Sequence, residues 1–148
     1  MKKKTFLSFV FLAVIFLVGY HFWTAVNFGN IKYVRIAGQN IKVDLALTKE
    51  ARERGLSGRS GLKENEGMLF GFEKPDRYPF WMKDMNFAID IIWISEGLKV
   101  IFIKKGALPE SYPENFLSGG NAKYVLEVVA GFSEKNNLKK GDSVLFTY

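Results

Sequence analysis

The chain contains 148 residues, with 21 Lys and Arg side chains against 15 Asp and Glu, which gives a formal net charge of +6. It has no Cys, so disulfides, thiolate catalysis and zinc sites built on sulfur are excluded. The single His, His21, lies in an apolar N-terminal run. The remainder of the chain therefore lacks the imidazole that a Ser/His/Asp triad or an HExxH zinc site requires. The length allows one domain after the apolar run.

The N-terminal run has the composition of a membrane segment. Lys2, Lys3 and Lys4 precede a mostly apolar stretch over residues 5–28. A helix of roughly 20 residues crosses a hydrocarbon core of about 30 Å. By the positive-inside rule the lysines mark the cytoplasmic side. We therefore predict a single-pass transmembrane signal anchor over residues 1–30, with the lipid bilayer as partner through residues 5–28 and the domain over residues 31–148 outside the cell membrane.

A cleaved signal peptide is the alternative for the same run, because residues 6–18 also suit its apolar core. Cleavage after Ala25 would place Trp23 where a small side chain is needed, which favours a retained anchor. If the segment were cleaved, the protein would be secreted. Both outcomes place the domain outside the cytoplasm.

The first elements of the domain are predicted from alternation and capping. Apolar and polar residues alternate over residues 31–37 and 41–47, which predicts a β-hairpin. Thr48 is then a suitable N-cap for a short helix over residues 49–54, and Gly55 is suited to end it. A hairpin followed by a short helix should open the domain.

The following segments are rich in β-branched and aromatic residues, which predicts further strands. A short helix capped by Ser133 should precede the last of them, and the long stretch Gly106–Gly120 is typical of a binding loop. We expect a mainly β fold (β-rich α+β): a compact open barrel or sandwich of about seven short strands with two short helices. These later strands are predicted over residues 80–83, 87–95, 99–104, 124–129 and 143–146.

A series of short signatures runs from Glu50 to Leu145. The signatures are Glu53-Arg54-Gly55-Leu56, Gly67-Met68-Leu69-Phe70, Phe80-Trp81-Met82-Lys83, Ile89-Asp90, Tyr124-Val125-Leu126-Glu127 and Gly141-Asp142. In this order the series resembles the DUF192 family, also called UPF0127. The resemblance implies a small β-rich domain, often carried behind a signal sequence or anchor, with no established activity. The chain has Asp84 and Met85 where the family usually has an Asn-Thr pair.

Two carboxylates interrupt apolar strands, Asp90 in one and Glu127 in another. Burying an unpaired charge is costly, so each needs a partner or a proton. Asp90 is interpreted either as a ligand-orienting or acid/base group, or as a structural partner of Arg54, Lys83 or backbone amides. If Asp90 and Glu127 converged, a carboxylate-based hydrolase acting on an envelope polymer would be possible.

Three further residues have the chemistry of a binding site. Trp81 and Lys83 alternate with Phe80 and Met82 and should point to one side, where an aromatic ring beside a cation suits carbohydrate or carboxylate recognition. A tryptophan in the core with a lysine reaching solvent is the structural alternative. Arg54 could bind a carboxylate or phosphate through two hydrogen bonds, or could pair with Glu50 or Asp90.

The sequence thus predicts a ligand-binding or accessory module of the cell envelope. Its candidate ligand site comprises Arg54, Trp81, Lys83, Asp90 and Glu127, with a small molecule, glycan or envelope protein as partner. A hydrolase, or an interaction scaffold that uses the Gly106–Gly120 loop, remains an alternative, so whether the protein is an enzyme stays open. We expect no metal site and no cofactor. No nucleic-acid partner is expected either, because the paired lysines are too short to form a basic stripe.

Overall fold

The computed structural model describes residues 29–148, so the predicted anchor over residues 1–30 lies, apart from its last two positions, outside the described residues. Within residues 29–148, no helix is long and apolar enough to cross a bilayer. Residues Lys32–Thr147 form one unit built on seven strands in the order β5-β4-β6-β3-β2-β1-β7. Its elements are β1 (Tyr33–Ile36), β2 (Gln39–Ala46), α1 (Lys49–Arg54), β3 (Glu66–Asp76), β4 (Ile89–Ile94), β5 (Val100–Ala107), β6 (Ala122–Val129), α2 (Phe132–Lys135) and β7 (Val144–Thr147).

The predicted hairpin is confirmed, with its turn placed slightly earlier. β1 and β2 pair antiparallel from Ile36 opposite Gln39, so the turn consists of Ala37 and Gly38. Both turn residues have positive φ, 48° and 75°, as the common two-residue hairpin turn requires. Among the paired strands only β2 and β3 run parallel, and α1 lies in the crossover between them.

The predicted helix over residues 49–54 is also confirmed. The Thr48 hydroxyl oxygen accepts a hydrogen bond from Ala51 N at 3.2 Å, which satisfies one of the free N–H groups of the first turn. Gly55 ends the helix with φ 50°. On the helix surface, the close charge pair joins Lys49 and Glu53, at 3.6 Å, rather than Glu50 and Arg54.

The centre of the sheet is buried on both faces, and all six residues of β4 are buried. One face, which we call the outer face, carries Met68, Phe70, Ile91 and Trp93 and is covered by α1 and the segment 77–88. The opposite, inner face packs against the inner faces of β1, β2 and β7. The sheet curls into a half-open barrel, and its buried inner residues include Val34, Ile36, Ile41, Val43, Leu69, Ile92, Leu126, Val128 and Val144.

Two sequence predictions are wrong. Residues 80–83 do not form a strand: Phe80 makes only an isolated bridge to Phe116, in the middle of an irregular segment. The aromatic residues there favour a strand, but they pack onto the outer face of the sheet instead of extending it. Ser133 is not the cap of α2, because Gly131 occupies that position with φ 86°.

Candidate functional site

A cleft of about 350 Å³ opens on the outer face of the sheet. One wall is α1 with the residues that follow it, the other is the segment 78–85, and strands β3 and β6 form the floor. Four of the five candidate site residues line this cleft: Arg54, Trp81, Lys83 and Glu127. The structure therefore brings together side chains from three separate parts of the chain.

Aromatic side chains hold the segment 78–85 on the sheet. The rings of Phe72 and Tyr78 stack with centroids 3.5 Å apart, and Phe80 packs edge-on against Phe70 at 4.9 Å and Trp93 at 5.7 Å. The Trp93 indole N–H donates to the Tyr78 carbonyl oxygen at 3.1 Å. Such edge-to-face pairs add to the stability supplied by burial, so this wall of the cleft is fixed.

Hydrogen bonds also join the two walls to each other. The Ser57 hydroxyl donates to the Lys83 carbonyl oxygen at 2.8 Å, and Gly58 N donates to the Asp84 carbonyl oxygen at 2.9 Å. Asp84 adopts φ 55°, a left-handed conformation that Asp and Asn tolerate best among residues other than Gly. The turn at residue 84 therefore sets the position of Lys83 at the rim.

The rim of the cleft is rich in cations. Arg54 and Lys83 are exposed and make no ion pair with any residue that the structure describes, whereas Lys49 faces Glu53. Arg52 is used differently: its guanidinium donates to the carbonyl oxygens of Leu47 and Gly71 and lies 5.1 Å above the Phe72 ring. Arg52 thus joins α1 to β3 and belongs to the structural contacts of the cleft wall.

Glu127 lies at the floor of the cleft and is 4% exposed. Its cross-strand neighbours on the same face are Met68 and Ile91, and its Oε2 atom has no hydrogen-bond partner among residues 29–148. Burial raises the pKa of Glu127 from 4.5 to about 8, while the charge of Arg59 acts in the opposite direction. Near neutral pH this carboxyl group is therefore mostly protonated and can donate a hydrogen bond.

Asp90 lies elsewhere. Its Oδ1 accepts hydrogen bonds from Gly106 N at 2.8 Å and Gly131 N at 3.2 Å, and its Oδ2 accepts one from Ser133 N at 2.8 Å. Asp90 is fully buried, and it joins β4 to the end of β5 and to the start of α2. The sequence left two interpretations of Asp90 open, a ligand-orienting or acid/base group and a structural partner. These contacts fit the second, with backbone amides as the partners of Asp90.

Asp90 and Glu127 do not converge, as the alternative of a carboxylate-based hydrolase would require. In the β4–β6 ladder Glu127 stands opposite Ile91, whereas Asp90 stands opposite Val128. Residues directly opposite share a face and successive residues alternate, so the two carboxylates point to opposite faces of the sheet. The two-carboxylate hydrolase has no site in this fold.

Sequence reasoning missed several residues of the cleft, mainly Lys49, Arg52, Phe72 and Tyr78. The regular i, i+3 spacing of Lys49 and Arg52 on one short helix was a usable signal, since such residues share a face. Ser118 and Lys123, whose residue types could form a nucleophile pair, are occupied separately: the Ser118 hydroxyl donates to the Gly120 carbonyl oxygen and Lys123 pairs with Glu96. Within residues 29–148 no group of three His, Cys, Asp or Glu side chains could hold a metal ion.

The sequence comparison identifies the class of protein. The family model DUF192, described as an uncharacterized ACR, matches residues 32–146, which is nearly the whole described domain. The chain therefore belongs to the DUF192 family, as its signatures indicated. No curated protein matches it significantly.

Two solved structures are similar to this domain. One is a candidate transcription regulator from Sinorhizobium meliloti 1021, with 28% identity and a TM-score of 0.73 over 77% of this chain and 92% of that chain. The other is a protein of unknown function from Novosphingobium aromaticivorans DSM 12444, with 29% identity and a TM-score of 0.74 over 78% of this chain and 84% of that chain. Both similarities extend over most of the respective chains.

Proposed function

We propose that this domain is a binding module whose cleft holds a small anionic ligand with an apolar or ring-shaped body. The observation that carries the proposal is the composition of the cleft: an aromatic wall below a rim on which Arg54 and Lys83 have no acidic partner among residues 29–148. Small-molecule sites are typically concave, mostly apolar and equipped with a few polar groups that orient the ligand. A guanidinium beside an ammonium group suits a carboxylate or phosphate.

Trp81 adds a ring surface at the same rim. It is 44% exposed, although Phe80 and Met82 on either side of it are buried. An exposed tryptophan beside a lysine gives a ligand ring a flat apolar face and its anionic group a nearby charge. Aromatic acids and acidic sugars are the ligand classes that this combination favours.

A binding experiment on the full chain tests this proposal. Ligand-observed NMR with benzoate, phenyl phosphate and glucuronate should detect weak binding of at least one anion, and Arg54→Ala or Lys83→Ala should weaken it about three- to tenfold. Methyl benzoate, which lacks the charge, should bind less well than benzoate.

Lys140→Ala is the matched control, because Lys140 is an exposed lysine in the turn before β7 and does not line the cleft. The control should bind the anions like the unmodified chain. Equal affinity of the Lys83→Ala and Lys140→Ala variants for every anion, or equal binding of benzoate and its methyl ester, would refute the proposal.

We also propose that residues 5–28 hold this module at the outer surface of the cell membrane. The length of the apolar run and the three lysines before it support this placement. Protease added to intact cells or spheroplasts should then degrade the domain, whereas a cytoplasmic marker should survive. A domain that resists until the membrane is lysed would place it on the cytoplasmic side.

A second candidate function is docking of an envelope protein on the loop of residues 106–120. Three large apolar side chains of this loop are about half exposed: Leu108 at 55%, Tyr112 at 49% and Leu117 at 52%. Replacing all three by Ser should abolish copurification of such a partner while leaving the binding of small anions unchanged. Persistence of the same copurifying protein would count against docking at this loop.

A further inference from the structure

The floor of the cleft carries a chemical group that the proposed anion site does not use. Glu127 is a carboxyl group held almost completely out of water, between Met68 and Ile91, with Oε2 unpartnered among residues 29–148. A buried polar atom without a hydrogen-bond partner destabilises the folded domain. Asp90, on the neighbouring strand, receives hydrogen bonds from backbone N–H groups at both of its oxygens. The fold therefore supplies donors to the buried carboxylate that has a structural role, and it supplies none to Oε2 of Glu127 from residues 29–148.

We propose that Glu127 is a hydrogen-bond donor that selects ligands whose inner end is an uncharged acceptor, such as a carbonyl or hydroxyl oxygen, and whose outer end is the anion held at the rim. This inference rests on the proposed function, and it assigns the bound ligand an orientation in the cleft. The two ends of the site differ in chemistry: cations that can meet a charge lie at the rim, and a neutral acid lies in apolar surroundings at the floor.

The protonation state of Glu127 supports this orientation of the ligand. Burial raises its pKa to about 8, so the carboxyl group is mostly neutral at pH 7 and mostly ionised at pH 9. In the neutral form it can donate to a carbonyl oxygen, and in the ionised form it repels a carbonyl oxygen, which has no proton to donate in return. A second anionic group on the ligand would also be repelled or would have to take up a proton.

Other charged or titratable groups lie near the same cleft, and their effects on binding must be distinguished from the effect of Glu127. They are Lys49, Arg52, Glu53 and Arg54 from α1 and Tyr78 and Lys83 from the opposite wall. Arg59 does not line the cleft, but its charge acts on Glu127, and it is paired with Asp44. Burial raises the pKa of Tyr78 above 10, so its hydroxyl group stays neutral over the relevant range. The strand neighbours Met68 and Ile91 do not titrate.

Three matched benzoates test the proposal on the full chain by ligand-observed NMR. 4-Acetylbenzoate offers a carbonyl acceptor at the inner end, 4-ethylbenzoate offers none, and terephthalate offers a second charge. At pH 7 we expect 4-acetylbenzoate to bind about three- to tenfold more tightly than the other two, since one hydrogen bond is gained or lost. Between pH 7 and pH 9 its affinity should fall by up to about tenfold as Glu127 ionises.

Two variants isolate the contribution of Glu127. Glu127→Gln keeps a hydrogen-bond donor that does not titrate, so its preference for 4-acetylbenzoate should persist at pH 9. Glu127→Met removes the donor with similar volume and should bind the acetyl and ethyl compounds equally. Because all other titratable groups are unchanged in Glu127→Gln, a fall in its affinity equal to that of the unmodified chain would overturn the proposal.

The outcomes also separate this inference from the proposed function. Equal binding of all three benzoates, weakened by Lys83→Ala but not changed by Glu127→Met, would refute the role of Glu127 and leave the anion site standing. If none of the benzoates and none of the anions used above binds in a way that depends on Lys83, the proposed function fails, and the inference with it.

Discussion

Asp90 is a buried carboxylate whose partners all come from the backbone. Three N–H groups, from Gly106, Gly131 and Ser133, converge on its two oxygens. These donors belong to the end of β5 and to the first residues around α2, and both places lack the regular ladder partners of a strand interior. The side chain therefore supplies the acceptors that the backbone does not supply there.

We expect Asp90→Ala to lower the free energy of unfolding by about 3–5 kcal/mol, because it leaves three buried or half-buried donors without an acceptor. Urea unfolding of the full chain measures the loss. Asp142→Ala is the control, since Asp142 accepts one hydrogen bond from the exposed Lys139 N. A loss for Asp90→Ala no larger than for Asp142→Ala would contradict the structural role.

Glu127 should make stability depend on pH in the opposite direction to most carboxyl groups. Its pKa is about 8 in the folded domain and 4.5 when it is not buried. Between these values the folded state keeps a proton that the unfolded state loses, so rising pH lowers the free energy of unfolding. The contribution of the neutral carboxyl is complete below about pH 4.5 and is lost as pH rises through about 8.

Glu127→Gln removes this dependence, because the amide remains neutral at every pH. Relative to the variant, the unmodified chain should lose several kcal/mol of stability between pH 4.5 and pH 8, since each pH unit in that window is worth about 1.4 kcal/mol. Urea unfolding over this range measures the difference. For the control Glu114→Gln, at an exposed position, the curve of unfolding free energy against pH should run parallel to that of the unmodified chain. A parallel curve for Glu127→Gln would refute a raised pKa of Glu127.

For single residues, residue type and strand periodicity predict whether a side chain is buried, but they do not predict what the side chain does. Both Asp90 and Glu127 were expected on apolar strands, and both are buried. Their roles depend on which backbone donors reach them, and those donors lie 16 to 43 residues away from Asp90 along the chain. Arg54, Trp81 and Lys83 were identified from local chemistry, and the fold places them around one cleft.

Among the elements, β3 and β6 approach each other closely at Gly67. A Cβ atom added at Gly67 would lie 2.6 Å from the Glu127 carbonyl oxygen and 3.1 Å from an Ile41 methyl carbon. Neither backbone can move without shifting the ladder between the strands. Gly67 thus allows the close approach of the strand that carries Glu127, as glycine inside a strand often does.

We expect Gly67→Ala to destabilise the domain by about 1–3 kcal/mol, the usual cost of forcing extra volume into a packed region. Thermal unfolding of the full chain measures the effect. Gly97→Ala is the matched control, because the nearest atom to its added Cβ is the Ser95 hydroxyl oxygen at 3.9 Å, and its effect should stay within about 0.5 kcal/mol. Equal effects of the two substitutions would show that the close approach is not limiting.

Local signals predict the elements best where they act within a few residues. The hairpin and α1 depend on a turn and a cap, and both were predicted nearly to the residue. The segment 80–83 was mistaken for a strand because its aromatic residues are typical of strands, whereas its partners are Phe70, Trp93 and Phe116 from distant positions. β3 was not among the strands predicted from the sequence, because Gly67 and Gly71 interrupt its apolar run on either side of residues 68–70.

At the scale of the whole barrel, backbone hydrogen bonds connect the edge strands β5 and β7 near the residues where both strands begin. Val100 N donates to the Asp142 carbonyl oxygen, Gly141 N to that of Val100, and Val144 N to that of Leu98, at 2.8–2.9 Å. We call these three hydrogen bonds the seam. The predicted number of strands agrees with the structure only because the wrong strand at residues 80–83 replaced the missed β3. This closure could not be predicted either, because it joins segments about 40 residues apart through backbone groups that carry no residue signature.

The seam should open more readily than the centre of the sheet. It consists of a few hydrogen bonds near turns, whereas β6 is paired on both sides, with β3 and with β4. Local opening costs least where few buried contacts must be broken. Hydrogen exchange of the full chain, followed by NMR, should therefore show the amides of Val100 and Gly141 exchanging at least about tenfold faster than that of Leu126, at a rate insensitive to low concentrations of urea. Exchange of the seam amides at the same rate and with the same urea dependence as Leu126 would mean instead that the barrel opens only by unfolding as a whole.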